Sequence, residues 1–263
     1  MSATSSGRWP LPRLLLEQLS RHVVIRRRLP RALGAHRIYV TPDASLRFWR
    51  RRIEDTDPLL LQFATELVES GDVVWDIGAN VGVFSLAAAV RAGASGAVLA
   101  LEPDPLTAGL LRRSSGELPA TCARITVVEA AAADREATME FAIARRGRAA
   151  SHLGSVRASS QTGGVRSVIR VAATTLDSLC ASHSPPRLVK IDTEGAELLC
   201  LRGASRLLSE VRPRLLCEVD APNALEVGAL LQGHGYSMLD ASLGPSERTP
   251  LTVPTWNTLA LPG

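Results

Sequence analysis

The residues with the clearest chemical potential stand close together between positions 73 and 84. In V-V-W-D-I-G-A-N-V-G-V-F an apolar run ends on Asp76 and enters a turn carrying Gly78, Asn80 and Gly82. Glycines in such a turn let backbone approach a ligand closely and adopt conformations that a β-carbon forbids. Glu102, with Pro103 beside it, closes the next apolar run 26 residues after Asp76. A carboxylate placed there can accept both hydroxyls of a ribose. An acidic lining suits a neutral adenosine bearing a cationic sulfonium, as in S-adenosyl-L-methionine, better than it suits a phosphate. The spacing G-A-N-V-G also lacks the second close glycine of G-x-G-x-x-G, which disfavours a nicotinamide dinucleotide.

A second group of charges lies at L-V-K-I-D-T-E-G-A-E, residues 188–197. Lys190, Asp192 and Glu194 alternate along a strand end and so point to one side. A lysine inside an apolar strand must be paired, and Asp192 and Glu218 are the expected partners. Lys190 is also the only lysine among 30 basic residues. Asp192 is the first candidate for a general base that takes a proton from an acceptor hydroxyl. Glu194 and Glu218 are expected to orient that acceptor or Lys190. Glu197 fits a capping role in the first turn of a helix. His152 lies in a polar loop and is an alternative base, although exposure without function is the blander reading. Oxygen ligands at Asp192, Glu194 and Glu218 would suit magnesium, but their spacing gives no positive sign of a metal and none is expected.

The elements needed to hold these residues alternate between strand and helix. Strands are expected at 73–77, 97–102, 124–129, 188–192, 214–219, at Y-S-M-L-D and near W-N-T-L-A-L, with helices after Asp57, Gly82, Asp104, Gly195 and Asn223. That pattern implies an α/β fold with a mostly parallel, seven-stranded sheet covered by helices on both faces. Strand-like runs at 137–143 and 167–172 flank a glycine-, serine- and arginine-rich loop over 145–166, which is expected to be either disordered or a lid. A helix is expected over Leu14–Leu33 and a short strand at 36–40. Residues 1–56 are read as a basic appendage and 57–263 as one Rossmann-like domain.

These strings resemble the FkbM-type methyltransferases. The resemblance rests on residues 71–84, on E-P-D-P at 102–105, T-L-D-S-L at 175–179, residues 188–204, P-R-L-L-C-E at 213–218 and the closing W-N-T-L-A-L-P. It implies a class I methyltransferase fold and methyl transfer from S-adenosyl-L-methionine, commonly to a hydroxyl of a sugar, glycan or secondary metabolite. In this resemblance the adenine edge falls around Glu129 to Asp134.

Composition narrows the alternatives. With 46% hydrophobic and 21% charged residues, the chain of 263 residues is globular in character rather than disordered or a membrane bundle. The four cysteines form no C-x-x-C pair, and no apolar run reaches membrane-spanning length, so a cytoplasmic protein is expected. Residues 1–52 hold 12 arginines against Glu17 and Asp43. Such an arm can touch an anionic membrane surface, whereas nucleic acid is the less favoured partner. A small-molecule or glycan acceptor is the favoured one. Oligomeric state is not readable. Transfer to nitrogen or RNA, and an inactive scaffold of the same fold, are the rival readings.

Overall fold

The computed structural model describes residues 11–155 and 162–263. Helix α1 (Leu11–Leu19) is followed by an antiparallel pair, β1 (Ile25–Arg28) and β2 (Arg37–Val40). The expectation of one helix over 14–33 is therefore corrected after Leu19. Val23, Val24 and Ile25 are β-branched, and β-branched residues favour strand over helix. Leu29, Leu33, Ile38 and Val40 are buried in the same core as helix α2 (Pro58–Leu67) and helix α3 (Val83–Ala92).

The central sheet is built from β3 (Val73–Ile77), β4 (Ala97–Leu101), β5 (Arg124–Val128), β10 (Leu188–Ile191), β11 (Arg214–Glu218), β12 (Tyr236–Asp240), β13 (Pro250–Leu251) and β14 (Asn257–Pro262). Their spatial order is β13-β12-β14-β11-β10-β3-β4-β5. The five strands from β11 to β5 run parallel, and β14 inserts antiparallel between β11 and β12. This is the expected Rossmann-like arrangement of seven strands, extended by the two-residue edge strand β13. Strand order reverses between β3 and β10, and the crevice beyond their carboxyl ends is where such sheets bind ligands.

Both faces are covered because successive strand residues point to opposite sides. Val74 joins the core under α2 and α3, whereas Trp75 joins the core under α5 (Leu176–Ser182), α6 (Glu197–Arg202) and α7 (Ala224–Gly233). Helix α4 (Pro105–Ser115) starts from the Asp104 cap, whose side chain accepts from Leu106 N. The helix expected from Gly195 to Ser209 is interrupted at Gly203, where an added β-carbon would lie 2.1 Å from the Ala133 carbonyl oxygen, and resumes as a π-helical turn over Leu207–Val211.

The long connection from β5 to β10 forms a second sheet, not anticipated as a separate layer. It contains β6 (Ala131–Ala132), β7 (Ala137–Ala144), β8 (His152–Leu153) and β9 (Val165–Thr174), in the order β6-β9-β7-β8. The 145–166 loop is thus partly ordered by β8. Its residues 156–161 lie outside the described residues.

Two glycines give opposite expectations for one chemical change. Gly78 has φ +78, and a β-carbon there would lie 1.8 Å from the Asp192 carbonyl oxygen. Gly109, in α4, has nothing within 4 Å of that position. Gly78→Ala should cost at least about 2 kcal/mol, from left-handed backbone plus overlap. Gly109→Ala should stabilise by about 0.5–1 kcal/mol. Urea denaturation of both variants measures the two signs.

Candidate active site

The turn after β3 and the turn after β10 are built against each other. Asp192 N donates to Ile77 O at 3.0 Å, while Gly78 N and Ala79 N both donate to Leu101 O, at 3.0 and 2.9 Å. The glycines serve this crossing directly. The space a Gly78 side chain would need is filled by the Asp192 backbone, and that of Gly82 by Leu111. Gly78 borders the cavity described below, and Gly82 sits behind it as the first residue before α3.

Lys190 and Asp76 are cross-strand partners on one face of β10 and β3. Lys190 Nζ donates to Asp76 Oδ1 at 3.1 Å and to the Gly78 carbonyl at 3.4 Å, and lies 3.3 Å from Asp192 Oδ2. Ser85 Oγ donates to the other Asp76 oxygen at 2.5 Å. Burial pulls the Lys190 pKa down, but the charges of Asp76 and Asp192 outweigh it and hold the ammonium charged. Asp76 is fully buried and faces this pair rather than the cavity. The sequence pointed to Asp192 and Glu218 as partners of Lys190. Asp192 is one, and Asp76 is the partner that the sequence reading had given to the ligand.

One cavity of about 600 Å³ opens above these strand ends. Gly78, Asn80, Glu102 and Pro103 line it together with Lys190, Asp192, Glu194 and Glu218. Asp134 is not among the lining residues, and its carboxylate meets the Arg135 guanidinium at 3.1 Å. His152 does not line the cavity either. It is buried, with its ring close to the Ala150 carbonyl, so neither exposure nor a base at the cavity describes it.

At the β4 end, Glu102 Oε2 accepts from Asn80 N at 2.7 Å and Oε1 accepts from Asp104 N at 2.9 Å. Burial nevertheless raises the Glu102 pKa to about 7. Asn80 holds φ +52, and its side-chain oxygen is buried without a partner. Ala130, Ala131, Ala132, Phe141 and Leu153 supply apolar walls nearby. A carboxylate, an unpartnered amide oxygen and an apolar slot match the ribose hydroxyls, the polar edge and the adenine of an adenosyl group. Gly78, Asn80, Glu102 and Pro103 therefore fit S-adenosyl-L-methionine. A donor on the ligand would also satisfy the Asn80 oxygen.

At the β10–β11 end the acids converge. Ile191 pairs with Cys217, so the next residues, Asp192 and Glu218, emerge side by side. Glu194 projects from the same turn with φ +53. Behind it, Glu197 Oε1 accepts from Thr193 N, Thr193 Oγ1 and Gly195 N, each at 3.0 Å, as its expected capping role requires. Burial, then the Asp192 charge, lifts the Glu194 pKa to about 8 and raises that of Glu218 as well. Asp57 caps α2 through Leu60 N at 3.2 Å and also lines the cavity, its pKa raised by burial and by Asp192. Sequence reasoning saw only the cap. No local pattern ties Asp57 to residues more than a hundred positions away. Among the described residues, no three His, Cys, Asp or Glu side chains are placed to hold a metal ion.

The roof comes from elsewhere in the chain. Arg148 donates to Asp43 Oδ2 at 2.8 Å and to Asp104 Oδ2 at 2.6 Å, while Arg166 donates to Asp43 Oδ1 at 2.7 Å. These ion pairs hold residues 146–151 across the cavity beside Ala44–Phe48.

The raised carboxyls set a pH dependence of stability. A carboxyl whose folded pKa exceeds its unfolded value binds its proton more tightly when folded, so its contribution is complete below the unfolded value and is lost as pH rises through the folded one. Glu102 and Glu194 move from 4.5 to about 7 and about 8. These two groups should therefore make the free protein melt at progressively lower temperature from about pH 5 to about pH 8, and Glu194→Gln should flatten that fall. Calorimetric melting across this range reads the slope.

The pattern of the methyltransferase FkbM domain matches residues 76–238. Hexuronic acid methyltransferase AglP of Haloferax volcanii is 27% identical over 165 residues, covering 62% of this chain and 62% of that protein. The match thus spans less than two thirds of the relative. Among solved structures, the FkbM methyltransferase of Methylobacillus flagellatus KT aligns with TM-score 0.44 at 16% identity, over 95% of this chain and 58% of that one. Fibrillarin of Aeropyrum pernix, with natively bound S-adenosyl-L-methionine, aligns with TM-score 0.45 at 10% identity, over 78% of this chain and 74% of that one. With most of its length matched by the family pattern, the chain belongs to the FkbM methyltransferase family, whose methyl donor is S-adenosyl-L-methionine.

Proposed function

We propose that the protein methylates a hydroxyl oxygen of a sugar, glycan or similar small acceptor, with residues 57–263 as the methyltransferase domain. The observation that carries this reading is a single cavity joining Glu102 and Asn80 at one end to Asp192, Glu194 and Glu218 at the other. S-Adenosyl-L-methionine supplies an electrophilic methyl group on a sulfonium, a leaving group that needs no protonation. Glu102, Asn80, Pro103 and the Gly78 backbone hold its adenosyl part. Asp76 and Gly82 act from beneath, by fixing Lys190 and the start of α3.

The chain's work on the acceptor is alignment and proton removal. Holding the oxygen in line with the methyl–sulfur bond supplies much of the acceleration. The hydroxyl proton passes to the Asp192 carboxylate, which pairs with Lys190 Nζ at 3.3 Å. Glu194, with its pKa near 8, and Glu218, raised in the same direction, hold their protons at neutral pH and donate hydrogen bonds to the acceptor's other oxygens. No role falls to Asp134. The basic arm contributes Arg47 to the cavity wall. Its charge is close enough to lower the Asp57 pKa against burial, and it would also meet the carboxylate of an acidic sugar, the acceptor class named for the Haloferax volcanii relative. Among the described residues no helix is long and apolar enough to cross a membrane.

Two variants separate the ends of the cavity. Glu102→Gln should weaken S-adenosylhomocysteine binding by about tenfold, the scale of one hydrogen bond to a charged group. Asp192→Asn should lower turnover on a sugar acceptor by about 100-fold, as loss of a general base does, and leave S-adenosylhomocysteine affinity within about twofold. Titration calorimetry and a methyl-transfer assay read both. Unchanged turnover in Asp192→Asn removes that residue from the mechanism, and failure of the wild type to bind S-adenosylhomocysteine removes the donor site.

A further inference from the structure

One aromatic ring at the proposed acceptor end has no structural partner among the described residues. Trp75 is fully buried and its indole nitrogen donates to the Ser184 carbonyl at 3.2 Å. Trp49 is partly exposed but donates to Ser20 Oγ at 3.0 Å. Trp256 lines the cavity, is 49% exposed and makes no side-chain hydrogen bond among the described residues. Its position is nevertheless fixed. The Trp256 carbonyl accepts from Val219 N at 2.9 Å, and the next residue, Asn257, pairs with Glu218 in the β11–β14 register. A rigid strand end thus presents the ring beside the cluster of acids.

Leaving an indole half in water forfeits the apolar burial that makes tryptophan worth placing. The cost is recovered if a flat ligand with an apolar face covers it. The neighbouring groups narrow that ligand. Glu218, Glu194, Asp192 and Asp57 offer hydrogen-bonding oxygens at the same end of the cavity, and Trp256 adds one N–H donor. A pyranose ring has this complementarity, with C–H groups across one face and hydroxyls around its rim. Trp256 and Glu102 also stand at opposite ends of the ligand crevice. Between β14 and β4 lie four strand spacings, about 19 Å in all, so a ring at Trp256 is separate from an adenosyl group at Glu102.

We propose that Trp256 is the stacking platform for a pyranose acceptor, a specificity residue beside the acids that bind the ring's hydroxyls. The proposal rests on the hydroxyl-methylating reading above. The test uses the full chain saturated with S-adenosylhomocysteine and titrated with methyl β-D-glucopyranoside or methyl β-D-glucopyranosiduronate, followed by calorimetry and indole fluorescence. At least one glycoside should bind and shift the fluorescence. Trp256→Ala should weaken that binding by about tenfold, Trp256→Phe should recover most of it, and Trp49→Phe should change nothing. S-Adenosylhomocysteine affinity should stay within about twofold in every variant, which a folding defect would not allow. Equal glycoside affinity in wild type and Trp256→Ala overturns the platform and leaves the sugar reading standing. S-Adenosylhomocysteine binding with neither glycoside bound overturns platform and sugar class together, and leaves methyl transfer intact. Absence of S-adenosylhomocysteine binding removes the donor reading and this inference with it.

Discussion

The buried contact between Lys190 and Asp76 sets the position of nearly everything at the site. An ammonium and a carboxylate removed from water carry a desolvation cost that only close pairing offsets, and losing either partner leaves an isolated buried charge. Here the pair bridges β10 and β3 where strand order reverses, and it extends to the Gly78 carbonyl on one side and Asp192 on the other. The turns proposed to hold the adenosyl group and the general base thus share one cation. Fixing Lys190 fixes both turns at once.

The acids around that cation differ in their surroundings. Asp192 sits within ion-pair distance of Lys190, whereas Glu194 and Glu218 feel burial and the Asp192 charge more strongly than they feel the lysine. Several carboxylates in a confined, weakly polar space cannot all ionise. Burial and the neighbouring acid push Glu194 and Glu218 toward their protonated forms. In the proposed reaction the one cluster would supply both an acceptor for the hydroxyl proton and donors for hydrogen bonds to the acceptor.

Much of the frame was legible because apolar runs such as V-V-W-D-I and L-V-K-I-D can only be strands buried on both faces. Lys190 was conspicuous as the one basic residue inside such a run. Its main partner was not, because the facing of Lys190 and Asp76 depends on the β3–β10 register, which neither strand encodes alone. The same limit hid Asp57, Arg148 and the second sheet, whose roles depend on residues far along the chain. The 14–33 segment was misread for a local reason: its arginines resemble a solvated helix face, but three consecutive arginines also suit a short exposed strand, and β2 was there to pair with it.

The two ends of the cavity are assembled from different parts of the chain, which bears on how acceptor choice can change. Gly78, Asn80, Glu102 and Pro103 come from the turns after β3 and β4, inside the portion matched by the family pattern. Arg47, Asp57 and Trp256 lie outside residues 76–238, in the segment before β3 and the approach to β14. Arg148 lies within that portion, but its anchor Asp43 lies outside it. Substitutions at Arg47, Asp57 or Trp256 would alter the proposed acceptor wall without touching the Lys190–Asp76 pair directly. If the proposed acceptor end is right, a fold whose electrostatic centre is fixed at a strand switch point can vary its acceptor through peripheral segments, because the proposed donor end does not have to move for the acceptor end to change.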